Sequence, residues 1–481
     1  MTSENEQAEK PELPRVPSAF RALSLSEKLL TVIEEIGFTE MTKVQSETIP
    51  LLLEGKDVVV QAPTGTGKTA AFALPILHAI SMEARIPGAL ILCPTRELSA
   101  QVAREIRRLG RAHAGLRVLV LSGGEPRQRQ KASLDEGAHI LVGTPGRVLD
   151  HLRRQDLDLS AVRVLVLDEA DRMLDMGFEE DMESILKAAP KPRLTAFFSA
   201  TYPRSIESMS RKHQDKALRV TIETPAKEAH EIRQFVMMVE PELKLSTLRW
   251  VLEHHAHESA LVFTNFKASA AEVESILTKV GISAASLHGD LEQVDRDRVM
   301  AKFRNGSVRV LVATDVAARG IDIEGLDLVV NYEMANKPET HVHRVGRTGR
   351  AGKTGVAITF ATSREREKIE AIEAFIGEPL ERTKRARNED GTPERASIEE
   401  TRDAKMDTLR IAGGRKDKVR PGDILGALTG EAGGLAGTDI GKIEIHDTFA
   451  YVAVARSVSE LALKSLMNGR IKGRRFRVER A

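Results

Sequence analysis

Val58-Val59-Val60-Gln61-Ala62-Pro63-Thr64-Gly65-Thr66-Gly67-Lys68-Thr69 is the stretch that decides the fold. Consecutive apolar residues predict a strand buried on both faces, because a strand with one wet face alternates. The glycines that follow let backbone N–H groups turn inward on an anion. The helical pattern after Lys68 sets a helix N-terminus beneath it. Ala62 stands where such loops carry their first glycine. Ala62, Pro63, Thr64, Gly65, Thr66 and Gly67 are therefore expected to wrap the phosphates of a nucleotide. Lys68 would reach the β- and γ-phosphates, and the Thr69 hydroxyl would ligate Mg2+.

Similar apolar runs recur on both sides. Leu90-Ile91-Leu92, Ile140-Leu141-Val142, Val162 to Leu167 and Ala196-Phe197-Phe198 each end in polar or glycine-rich residues. A second series holds Ala260 to Phe263, Ala284 to Leu287, Val308 to Val312, Leu328 to Val330 and Val356 to Phe360. Strands alternating with helical patterns predict α/β architecture, here two doubly wound parallel-sheet domains in tandem with a junction near residues 222–230. Val164-Leu165-Val166-Leu167 runs directly into Asp168-Glu169-Ala170-Asp171. Ligands of open α/β sheets bind at the carboxyl ends of strands. Asp168 is placed to hold Mg2+ through water, and Glu169 to orient or deprotonate an attacking water.

A chain of 481 residues suggests about three domains. Its formal charge of +1 names no partner, but the charge is unevenly spread. Residues 405–481 hold 15 Lys/Arg against 9 Asp/Glu, so a balanced total conceals a basic tail domain. The single cysteine, Cys93, lies beside an apolar run; it excludes an internal disulfide or a cysteine zinc site and fits a reducing compartment. Residues 1–18 are polar, charged and proline-rich, without the apolar core of a secretory signal. No long uninterrupted apolar run suggests a membrane span. The expectation is a cytoplasmic, monomeric protein with no membrane partner and no metal beyond Mg2+. Residues 379–404 read as a polar linker.

The motif order over residues 18–375 resembles the DEAD-box RNA helicases, whose name is spelled by Asp168 to Asp171. The resemblance implies two RecA-like domains, at 19–224 and 228–378, an ATP-dependent RNA helicase activity, and Mg2+ with ATP. Pro94, Thr95 and Arg96, the pair Gly123-Gly124, and Thr144, Gly146 and Arg147 look like its RNA-contacting motifs. Ser199-Ala200-Thr201 looks like the motif coupling ATP state to strand separation, so Ser199 and Thr201 take that role. Thr314, Arg319 and Gly320 match RNA contacts of the second domain, and Asp322 its ribose-contacting acid. His343 resembles a coupling residue. Arg347 and Arg350 resemble arginine fingers, which phosphoryl transfer needs for the charge developing on the γ-phosphate. Gln45 resembles the glutamine that reads adenine, and Phe20 the upstream aromatic of the nucleotide site. The family's proline before that glutamine is missing from Met41-Thr42-Lys43-Val44, a departure that bears on the rigidity of the loop more than on its role.

In the tail, Phe449-Ala450-Tyr451-Val452-Ala453-Val454 matches the core of the RNA-recognition-motif consensus. Period two places Phe449 and Tyr451 on one sheet face, able to stack on bases. Residues 413–430, with Asp439 to Ile443 and Ile471 to Arg474, closely resemble the C-terminal domain of the bacterial DbpA group. This implies an α+β, recognition-motif-like domain over 405–481 that binds a hairpin of large-subunit (23S-type) ribosomal RNA during 50S assembly. Lys416, Lys418, Arg420, Lys472 and Arg474 are its candidate basic contacts. A general helicase of messenger RNA metabolism or cold response, and an ATP-gated RNA clamp, stay open as alternatives.

Overall fold

The structure is a computed structural model that describes residues 18–63, 65–222, 232–255, 257–318, 325–349, 354–384, 403–430 and 433–481. Two compact units divide near residue 225. Thr64, Arg319, Gly320, Asp322 and Arg350, the N-terminal tail up to residue 17, and most of the expected linker lie outside the described residues. Ser18, assigned to that tail, opens a short helix, Ser18–Arg21.

The first unit carries a parallel sheet of β1 (Val58–Gln61), β2 (Ala89–Leu92), β3 (Val118–Leu121), β4 (Ile140–Gly143), β5 (Val164–Leu167), β6 (Leu194–Ser199) and β7 (Leu218–Thr221). Their order is β3-β4-β2-β5-β6-β1-β7. Adjacent β1 and β6 run parallel and register Val58 to Ala196 and Gln61 to Ser199, which brings the loop before Lys68 and the Ser199 segment to the same carboxyl end of the sheet. Helices cover both faces, so Val60, Leu90, Ile91 and Val166 are fully buried.

In the second unit, β8 (Ile232–Met238), β9 (Ala260–Thr264), β10 (Ala284–Leu287), β11 (Val310–Thr314), β12 (Leu328–Asn331), β13 (Gly355–Ala361) and β14 (Glu381–Thr383) form a second parallel sheet in the order β10-β11-β9-β12-β13-β8-β14. Strand β14 pairs with β8, Glu381 opposite Phe235. That corrects the linker: its first residues belong to the second α/β domain. Glu381-Arg382-Thr383 lies at the sheet edge with its side chains largely in solvent, so it lacks the apolar run that marks an inner strand.

Arg344 is fully buried in this domain. It donates Nε and Nη2 to the two carboxylate oxygens of Asp315 at 2.6 and 2.7 Å, Nη1 to the Glu333 carbonyl at 2.6 Å, and Nη2 to the Asn265 side chain at 2.7 Å. Its guanidinium also lies 5.1 Å from the centre of the Phe263 ring. Removing one member of such a pair leaves the other charge desolvated and alone. Arg344→Ala is expected to cost about 3–5 kcal/mol and to lower the melting transition of residues 226–384, read by calorimetry beside an unchanged first-unit transition.

The same unit includes the tail domain, an antiparallel sheet of β15 (Met406–Ile411), β16 (Ile440–Ile445), β17 (Ala450–Ala455) and β18 (Val478–Arg480) in the order β16-β17-β15-β18. One face, with Leu409, Ile411, Val452 and Val454, packs on helices Pro421–Thr429 and Ser459–Asn468. The other face meets the second α/β domain at the end of helix Gln293–Arg304 and the turn after it. Arg304 donates Nε and Nη2, one edge of its guanidinium, to the two carboxylate oxygens of Glu444 at 2.9 and 2.8 Å. Thr408 Oγ1 lies 2.6 Å from Ser307 Oγ and accepts from Asn305 at 3.3 Å, and Lys302 donates to the Ala481 carbonyl at 2.7 Å. Burial alone would raise the Glu444 carboxyl, but Arg304 and Lys442 together outweigh it and hold the group below the usual carboxylate range.

Candidate nucleotide and RNA site

At the end of β1 the chain turns through Gly67, whose φ of +89° is left-handed, into helix Lys68–Ala79. A Cβ on Gly67 would come within 2.6 Å of Gln45 Nε2, so both φ and the close approach call for glycine there. Lys68 is buried and donates Nζ to the Ala62 carbonyl at 2.9 Å, which curls it over its own loop. Ala62 is buried, whereas Gly65 is exposed and Pro63, Thr66 and Thr69 are half-buried.

Gln45 opens helix Lys43–Leu53. Its Oε1 accepts from the Thr42 amide at 3.0 Å, and its Nε2 donates to the Gly67 carbonyl at 3.4 Å. Thr42 completes a capping box by accepting from the Gln45 amide. Thr42 caps the helix where the family has a proline upstream, and Gln45 ties that cap to the loop before Lys68, which holds the segment in place without the proline. Phe20 also departs from expectation. It is fully buried in the first-unit core, its ring centre 6.2 Å from that of Phe38, and it offers no open face to a base.

Asp168 and Glu169 leave β5 together. Burial pushes the Asp168 carboxyl up to about 7, with nearby Lys68 pulling it back. Its Oδ1 is buried without a hydrogen-bond partner among the described residues. An orphaned anionic oxygen beside a phosphate loop fits a divalent cation, which would hold the group ionised. Glu169 has φ +52°, the left-handed region that a side chain rarely adopts. Its carboxylate accepts from Arg172 Nη1 at 2.8 Å, with both side chains buried.

Asp171, quoted with the tetrad but given no role of its own, joins the two motifs. Its Oδ2 accepts from the Ala200 amide at 3.2 Å, the Thr201 amide at 2.8 Å and the Thr201 hydroxyl at 2.9 Å. Its own amide donates to Ser199 Oγ at 3.3 Å. One carboxylate thus links the loop holding Asp168 and Glu169 to the Ser199–Thr201 segment.

The expected RNA motifs of the first unit sit at the ends of β2, β3 and β4. Pro94 and Thr95 are buried, with Thr95 capping helix Arg96–Leu109 through Leu98. Arg96 lies across Gly124, where any Cβ would overlap its guanidinium. Gly123 is half-buried and Gly124 and Gly146 are exposed; Thr144 and Arg147 are half-buried around helix Pro145–Arg153. Arg147 donates to the Glu125 carbonyl at 3.2 Å.

In the second unit Thr314 is buried at the end of β11, and His343 is half-buried on helix Pro338–Val345. Arg347 follows that helix and is buried.

The tail divides its expected contacts. Lys416, Lys418, Arg420, Lys472 and Arg474 are all exposed, on two neighbouring loops that meet where Lys472 Nζ donates to the Lys418 carbonyl at 2.9 Å. Phe449 is half-buried, stacked on His446 with ring centres 4.5 Å apart. Tyr451 is a correction: it is completely buried on the face that meets the second α/β domain, and stacking on a base is closed to it here. Burial pushes its phenol up, against the pull of Arg298, on helix Gln293–Arg304, and of Arg410. Among the described residues no helix is long and apolar enough to cross a membrane.

Three family models match. The DEAD/DEAH box helicase model covers residues 42–209, the helicase conserved C-terminal domain 243–352, and the DbpA RNA binding domain 408–480. The ATP-dependent RNA helicase DbpA of Escherichia coli is 47% identical over 462 residues, 96% of this chain and 99% of that protein. The Bacillus subtilis DbpA is 38% identical over 478 residues, again 96% and 99% of the two chains. A solved structure of S. cerevisiae Dbp5 bound to RNA and ADP–BeF3 aligns with a TM-score of 0.69 and 33% identity, over 76% of this chain and 95% of that one.

Proposed function

We propose a substrate for this chain, which belongs to the DEAD-box family of ATP-dependent RNA helicases: structured 23S-type ribosomal RNA, opened locally while the large subunit assembles. The single observation that carries this reading is the tail, matched over 408–480 by the DbpA RNA binding domain. Its exposed basic loops around Lys416 to Arg420 and Lys472 to Arg474 supply the charge that phosphate contacts need. The helicase core contacts sugar and phosphate and is blind to sequence; the tail selects the RNA.

In this reading Lys68 draws in the β- and γ-phosphates, and Thr69 and Asp168 hold Mg2+. When bound there, the ion would supply neutralisation of the phosphate charge. Glu169, kept in place by Arg172, takes the proton of the attacking water. Gln45 and Asp322 orient the nucleoside, and Arg347 and Arg350 meet the charge developing on the γ-phosphate. Ser199, Thr201 and His343 pass the nucleotide state to the RNA contacts of both α/β domains, Thr314, Arg319 and Gly320 among them.

Steady-state ATP hydrolysis at one fixed salt concentration tests the substrate, with a 23S-type rRNA fragment, an unrelated structured RNA, a homopolymer and no RNA. Strong stimulation by the rRNA fragment alone is expected. Equal stimulation by every RNA would overturn the substrate and keep the helicase. Removing residues 405–481 should erase the preference while preserving hydrolysis.

A further inference from the structure

Gln130 lies in none of the recognised motifs, yet it is buried on helix Arg127–Asp135 between two of them. Its Nε2 donates to the Ser122 carbonyl at 2.8 Å, directly before Gly123-Gly124. Its Oε1 accepts from Arg147 Nη1 at 3.1 Å and faces His151 Nε2 at 3.1 Å. The donor bond to Ser122 fixes which end of the amide is oxygen, and that in turn gives His151 its proton on Nε2. His151 is itself fully buried, with Nδ1 3.4 Å from an Asp156 oxygen, and Asp156 is held by Arg127 and lies 3.5 Å from Lys131. Every polar atom of one side-chain amide is thus used, and it joins the Gly123–Gly124 turn to the Arg147 helix.

We propose that Gln130 is a positioning residue for RNA: it sets the angle of the Arg147 guanidinium against the Gly123–Gly124 turn, so that both meet consecutive backbone phosphates. This rests on the reading of Arg147 and Gly123-Gly124 as RNA contacts. An arginine on one helix and a glycine turn on another strand end have no covalent reason to keep a fixed spacing. An amide that bonds both supplies it, beside the direct bond from Arg147 to the Glu125 carbonyl at 3.2 Å, and burial makes the amide's bonds costly to lose. His151 backs the amide from behind, leaving the outer face of Arg147 to the ligand.

The test uses the full chain with Gln130→Ala, Arg147→Ala and the double variant. Gln130→Met serves as a second deletion of the amide that retains the volume should the alanine variant not fold. The readouts are the concentration of a single-stranded RNA giving half-maximal ATPase stimulation, and the affinity for ATP without RNA. Each single variant is expected to raise the RNA requirement roughly tenfold and leave ATP affinity unchanged. The double variant should be no worse than Arg147→Ala alone, since residues acting through one contact are not additive. An effect of Gln130 that adds in full to that of Arg147, or that falls equally on ATP affinity, overturns the positioning role and leaves a packing residue. A normal RNA requirement in Gln130→Ala beside a raised one in Arg147→Ala overturns it while sparing the RNA reading. Normal values in both overturn that reading and the proposal together.

Discussion

Glu169→Gln is expected to bind ATP as the parent does and to release phosphate about 10²–10⁴ times more slowly. The amide retains the shape of the carboxylate, and its oxygen still accepts from Arg172, which holds Glu169 at 2.8 Å. The backbone at φ +52° is no worse suited to glutamine than to glutamate. What the variant loses is a base: an amide oxygen does not take a proton from water at neutral pH. The comparison needs an equilibrium titration with ATP and a steady-state phosphate-release assay on the same preparation. Parent-like turnover would remove Glu169 from the chemistry and leave it as the partner of Arg172.

Lys68→Ala is expected to weaken ATP binding by roughly a hundredfold or more, since a buried ammonium on phosphate is a charge-assisted contact in a site of low dielectric. The ammonium donates to the Ala62 carbonyl at 2.9 Å; the alanine variant also frees that carbonyl. Asp168 would lose the charge that does most to offset its burial, so its carboxyl should rise further. Titration calorimetry with ATP and Mg2+ reads the loss directly, and ADP should show a smaller one because it lacks the γ-phosphate. Undiminished ATP affinity would sink the assigned role of Lys68.

How much of this was legible beforehand depended on burial. Inner strands such as Val58–Gln61, Leu328–Asn331 and Gly355–Ala361 announce themselves as unbroken apolar runs. Four strands of the α/β domains are absent from those runs: Leu218–Thr221 and Ile232–Met238 mix polar with apolar residues and Glu381–Thr383 is wholly polar, all at or next to a sheet edge, whereas Val118–Leu121 is an edge strand as apolar as the inner ones and carries the same signal. The loop before Lys68 and the Asp168 tetrad stand out in the sequence because their residues are contiguous in the chain. Gln130 does not, because its partners Ser122, Arg147 and His151 are 8, 17 and 21 residues away and glutamine on a polar helix carries no local signal. Tyr451 misled in a different way. Alternation gave its sheet face, but which surface covers that face is decided by Arg304, Asn305 and Ser307, more than a hundred residues earlier.

The contact of Glu444 and Thr408 with the end of helix Gln293–Arg304 bears on distance as well as burial. A module on a loose tether samples a volume, and the spacing between what it grips and what its partner works on follows the length of the tether. A module clamped by a paired arginine, a hydroxyl contact and its own C-terminal carbonyl behaves as a ruler. The length of RNA between the gripped element and the opened duplex is then fixed by the clamp. Insertions into residues 385–402 would leave that length unchanged, whereas Arg304→Ala would blur it.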